Sequence, residues 1–132
     1  MKALDTNILV RFLVNDDEKQ AKAVYSFFKK TESAGESLFI PLAVVLETIW
    51  VMESVYDISR NEILEALKAL LSMPILKFES QPAIQAFMTS AMSASIDLAD
   101  ILIAQSACHS GCECVVTLDK RAAKSELFEL LK

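Results

Sequence analysis

The chain has 132 residues, 53% hydrophobic and 23% charged, with two glycines and three prolines. That length and composition predict one compact globular domain over residues 1–132 and exclude a disordered chain. At this length folding buries roughly 65–70% of the surface of an unfolded chain, so a core can form without disulfides. The net charge of −5 excludes a broad basic footprint for nonspecific nucleic-acid binding.

Met1-Lys2 leads at once into Ala3-Leu4-Asp5, which leaves no room for a signal peptide, and no apolar run reaches the length of a membrane span. A cytoplasmic protein is expected. The three cysteines are odd in number and include a tight Cys112-Glu113-Cys114, which reads as free thiols in a reducing compartment. Basic residues are local: Arg11, Lys29-Lys30, Arg60, and Lys120-Arg121 with Lys124.

Ala3-Leu4 predicts a short first strand that runs into Asp5-Thr6, both good N-caps, and then a helix carrying Ile8 to Val14. A second helix begins at Asp16-Asp17-Glu18, with Ala21, Val24, Tyr25 and Phe28 on one face, and stops by Gly35. Ser37 to Ile40 reads as a buried strand ended by Pro41. Leu42 to Met52 follows as a helix so apolar that it should be covered on two sides, the second by another element or another subunit. Asn61 to Met73 is a cleaner amphipathic helix with Ser59 as its cap.

Pro74 breaks that helix, Ile75 to Phe78 predicts a third strand, and a helix follows near Pro82 to Met92. The next helix starts near Ile96-Asp97 and stops at Gly111, before a fourth strand at Cys114 to Thr117. Short apolar strands alternating with helices predict a parallel sheet between helical layers, with strands that have no wet face.

Ligands of such sheets bind beyond the carboxyl ends of the strands, where acids gather here. Asp5 follows the first strand, Asp119 follows the fourth, and Glu47 lies just past the second. Asp97 and Asp100 open the helix before the fourth strand, and their spacing of three places them on one helical face. Carboxylates crowded in one cleft repel one another unless a cation neutralises them. A hard divalent ion, Mg²⁺ or Mn²⁺, suits an all-oxygen set better than zinc does, and it can assist phosphodiester cleavage. Simpler roles exist for the same residues: Asp5 and Asp97 suit N-caps, Asp119 suits a turn, and Glu47 could be a solvated position.

Leu4-Asp5-Thr6-Asn7, the isolated Glu47, Asp97-Leu98-Ala99-Asp100-Ile101-Leu102-Ile103-Ala104 and Val116-Thr117-Leu118-Asp119 together resemble PIN domains, especially the VapC-type toxins. The order and spacing match across nearly the whole chain. The resemblance implies a three-layer α/β/α sandwich with a short parallel sheet and a Mg²⁺- or Mn²⁺-dependent ribonuclease. It implies Asp5, Glu47, Asp100 and the more variable Asp119 as the acids of the site, with Asp97 as an additional one. Thr6 and Asn7 match positions that buttress the first aspartate, and Thr117 a small polar residue facing the site. A homodimer and a cognate antitoxin are implied for the toxin branch.

Arg11 lies four residues after Asn7 on the same helical face and is a candidate for the substrate phosphate, with Lys120 and Arg121 as further candidates. Cys108-His109 with Cys112 and Cys114 is not a regular zinc pattern, and no Gly-rich phosphate loop or Gly-x-Ser-x-Gly elbow occurs. Two other functions remain open. One is an aspartyl phosphatase or phosphotransferase using Asp5, although Asn7 stands where that chemistry wants a second acid. The other is a noncatalytic PIN-like module that binds RNA or protein.

Overall fold

The computed structural model describes residues 1–132, which form two compact units, Met1–Glu79 and Ser80–Lys132. The first unit runs β1 (Lys2–Ala3), α1 (Thr6–Val14), α2 (Glu18–Ser33), β2 (Leu38–Ile40), α3 (Leu42–Ser54), α4 (Arg60–Leu71) and β3 (Leu76–Phe78). Its strands pair in parallel in the order β1-β2-β3, with Ala3 opposite Phe39 and Leu38 opposite Leu76. Parallel neighbours need long crossovers, and each crossover here carries two helices.

Local chemistry sets the helix starts. Asp17 accepts from the Gln20 N–H and Ser59 from the Glu62 N–H, each satisfying a donor that the first helical turn leaves unpaired. Pro41 offers no capping side chain to α3. Instead Glu79 reaches across from the end of β3 and its Oε1 accepts the Leu42 N–H at 3.0 Å. Leu9, Ile40, Val45, Ile49, Ile63 and Leu67 are among the buried core residues.

The second unit holds α5 (Gln81–Ser93), α6 (Leu98–His109), β4 (Val115–Thr117), a single 3₁₀ turn (Ala122–Lys124) and β5 (Phe128–Leu130). Phe87, Leu98, Ile101 and Leu102 are buried there. Gly111 closes α6 at φ 95°, a conformation L side chains rarely adopt, and the Cys112 N–H returns to the Ala107 carbonyl. β4 pairs in parallel with β5, a strand the sequence left unassigned, so the hydrogen-bonded ladders number two, of three and two strands.

The mixed α/β class with short parallel strands is as expected. The strands are wetter than predicted, however: Lys2 and Ala3 are exposed, as are Lys77 and Val116. A strand of two or three residues is too short for its apolar neighbours in sequence to report its own burial. All three cysteines are free thiols, and no helix is long and apolar enough to cross a membrane.

Candidate active site

Asp5 stands at the carboxyl end of β1 and serves as the N-cap of α1, its Oδ1 accepting the Thr6 N–H at 2.8 Å. That bond fixes the carboxylate while leaving Oδ2 for the cleft. Support for Asp5 therefore comes from the Thr6 backbone, because the buried Thr6 Oγ1 has no hydrogen-bond partner. Asn7 and Glu47 line the same cleft of about 350 Å³ as Asp5, together with Val51 and Tyr56. Glu47 is exposed although its neighbours Thr48 and Ile49 are buried, so this acid in an apolar helix owes its place to the wet cleft.

Arg11 also lines this cleft, but its guanidinium is already engaged. Nε donates to Gln20 Oε1 at 2.6 Å, and Nη1 donates to Asp16 Oδ1 at 2.9 Å and to the Tyr56 hydroxyl at 3.0 Å. Tyr56 in turn donates to Asp16 Oδ2 at 2.9 Å. The Tyr56 hydrogen bond, and then the charge of Asp16, hold the Arg11 pKa above its ordinary value. Of its five N–H donors only those on Nη2 remain for a ligand. Sequence reasoning missed Tyr56 and Asp16, since nothing in local periodicity links positions 40 residues apart.

This network ties α1, the start of α2 and the second residue past α3 together. Tyr56→Phe, which removes both hydroxyl hydrogen bonds and leaves the ring, should cost about 1 kcal/mol of stability. Urea unfolding checks this, with the midpoint falling and the m value unchanged.

In the second unit, Asp97 precedes α6 as its N-cap but makes no side-chain capping bond, and Asp100 lies in the first helical turn. Asp119 follows β4, and its turn is held at both ends. The Thr117 Oγ1 accepts the Asp119 N–H at 3.0 Å, and Asp119 Oδ1 accepts the Arg121 N–H at 2.9 Å. The Asp100 carboxyl is pushed above its ordinary pKa by partial burial first, then by the charges of Asp97 and Asp119. The two named charges are both acidic and add to burial in disfavouring the ionised form of Asp100.

Asp5 and Glu47 thus share a cleft in the first unit, and in the second the charges of Asp97 and Asp119 act on Asp100. In neither unit do three His, Cys, Asp or Glu side chains form a tight metal cage. The donors still fit a hard divalent ion: they are carboxylate oxygens, mutually repelling, and such ions commonly complete their shells with water. Lys120 is exposed, and Arg121 contributes its backbone to the Asp119 turn while its side chain lines a separate cleft.

The soft residues build nothing comparable. His109 Nδ1 lies 2.9 Å from the Gln105 carbonyl, and the Cys114 thiol faces Glu129 Oε2 at 3.5 Å. Burial and then that carboxylate push the Cys114 pKa up, which keeps the thiol protonated and unreactive.

Over 85 residues the chain is 33% identical to a VapC ribonuclease of Aquifex aeolicus (strain VF5), a match covering 64% of this chain and 62% of that relative. The chain thus spans less than two thirds of that relative's length. The PIN domain profile matches residues 2–126, nearly the whole chain, and the protein belongs to the PIN-domain family.

Proposed function

We propose that the chain is a Mg²⁺- or Mn²⁺-dependent endoribonuclease that cleaves RNA phosphodiesters as the toxin of a toxin-antitoxin pair. Asp5, Glu47, Asp100 and Asp119 are its catalytic carboxylates, with Asp97 as a further metal ligand, and residues 1–132 work as one nuclease domain. The observation that carries this reading is the gathering of carboxylates in each unit: Asp5 and Glu47 line one cleft, and the charges of Asp97 and Asp119 act on a partly buried Asp100. A cation is what such a group lacks. The kinship with a protein named as a ribonuclease supports RNA as the substrate.

When bound, the ion supplies Lewis acidity at a phosphoryl oxygen and acidifies water. The chain's own part is positional. Asp5 is held by the Thr6 N–H with one oxygen left for a ligand, and Asp119 is aimed by Thr117 and the Arg121 N–H. No histidine is available as a base, since His109, the single one, sits at the far end of α6 from Asp97 and Asp100. The test is cleavage of single-stranded RNA by purified wild type and by Asp100→Asn, prepared identically with Mg²⁺ or Mn²⁺. Equal activity would locate the chemistry elsewhere, and an inactive wild type would favour a noncatalytic RNA- or protein-binding module.

Homodimerisation belongs to the same proposal. α3 buries Val45, Ile49 and Met52, yet leaves Trp50 59% exposed and, just beyond its end, Val55 63% exposed. Exposed aromatic and β-branched residues of this kind favour a partner surface. The outer face of α4 is polar, with Asn61, Glu62, Glu65 and Lys68 exposed, so α3 is the better candidate. Sedimentation of the wild type at micromolar concentration should give twice the chain mass, and Trp50→Glu should give one. A monomeric wild type would leave this surface to the antitoxin or to no partner.

A further inference from the structure

We infer that a basic cleft in the second unit, lined by Ser93, Ser95, Ile96, Arg121, Lys124 and Ser125, is a phosphate-binding subsite for the backbone of a single-stranded nucleic acid. The inference rests on the nuclease reading above and adds where the strand is held. The cleft has a volume of about 380 Å³, and its lining combines a guanidinium, an ammonium and three hydroxyls with no carboxylate. The Ser93 Oγ already donates to the Ser90 carbonyl at 3.4 Å, so the donors left in this chain of net charge −5 are those of Arg121, Lys124, Ser95 and Ser125.

Neither cation is spent within the protein. The ion pair of Arg11 is with Asp16, whereas the Arg121 and Lys124 side chains have no carboxylate partner and both are exposed. The Ser125 Oγ accepts the Leu127 N–H at 3.2 Å, which leaves its own proton to donate. Fork-like guanidinium donors, an ammonium and hydroxyls are the groups that bind phosphate oxygens, while apolar or cationic ligands would find no complement here.

Its position matches the substrate. The Arg121 N–H that closes the Asp119 turn belongs to a residue that lines the cleft, and Ile96, which also lines it, directly precedes Asp97. A strand with one phosphate at the acids of this unit therefore has a neighbouring phosphate within reach of Arg121 and Lys124. The negative acids need such a contact, because without an ion they repel the strand.

The test is fluorescence-anisotropy binding of a short, non-cleavable 2′-O-methyl single-stranded oligonucleotide at fixed Mg²⁺ over a range of KCl. Arg121→Gln and Lys124→Gln should each flatten the slope of log K against log salt by about 0.7, the value for one phosphate contact on a single strand. Arg121→Lys should restore most of the slope, and Lys19→Gln on α2 should leave it unchanged. Both target residues are exposed, so melting curves should match the wild type.

Wild-type binding with unaltered slopes in both variants would overturn the subsite alone. Absence of wild-type binding would overturn it together with the nuclease reading. A second arm follows Ser95 and Ser125 amide shifts by NMR. Shifts with the oligonucleotide support the inference, whereas shifts with inorganic phosphate and none with the oligonucleotide would make this a free-anion site and overturn it.

Discussion

Asp100→Asn should lower cleavage of single-stranded RNA by at least about two orders of magnitude, because even residues that only orient metal ligands cost 10–100-fold when lost. The side chain keeps its size and polarity, so the loss is one of charge and of oxygen donors. Asp5→Asn should fall as far, since its Oδ2 is the oxygen that the Thr6 N–H leaves uncommitted. The double variant should lose little beyond either single one, as groups that serve the same catalytic step are non-additive. Single-turnover cleavage with enzyme in excess reads all three, and EDTA should reproduce the variants in the wild type. Fully additive losses would mean that Asp5 and Asp100 serve separate steps or separate sites.

Divalent ions should stabilise the wild type by ~2.7 kcal/mol when free ion exceeds its dissociation constant a hundredfold, and Asp100→Asn should remove most of that gain. The metal-free protein should show the opposite order. Because the folded Asp100 carboxyl has a raised pKa, the folded state holds that proton more tightly than the unfolded chain does. Its stabilisation is therefore present in acid, below the ordinary aspartate pKa of about 3.9, and is lost as pH rises through the folded-state value. Above the folded-state value the ionised Asp100 is a burden, so metal-free Asp100→Asn should there melt at or above the wild type, with the difference closing as pH falls. Thermal melts with and without Mg²⁺ at two pH values check both halves. Equal response of wild type and variant to the ion would remove Asp100 from the metal ligands.

The helices were legible in the sequence because their signals are local. Asp5 and Ser59 cap the helices they were expected to cap, α2 starts among the acids expected there with Asp17 as its cap, Gly35 and Gly111 take positive φ where helices end, and Pro41 and Pro74 mark boundaries. The positions of four acids along the elements were legible as well, since Asp5, Asp97, Asp100 and Asp119 sit at strand ends or helix starts that neighbouring residues define, while Glu47 lies within α3. Strand β5 was not, because Phe128-Glu129-Leu130 acquires strand character only by pairing with Val115 to Thr117. Nor was the capping of α3 by Glu79, whose partner is 37 residues away. Arg11 illustrates the same division: its helical spacing put it on the face of Asn7, but only the folded chain brought Asp16, Gln20 and Tyr56 around its guanidinium. Capping, turns and amphipathic periodicity are governed by residues a few positions apart and can be read along the chain. Strand pairing, long-range hydrogen bonds and the mutual repulsion that raises Asp100 depend on distances through space, and these exist only once the chain has folded.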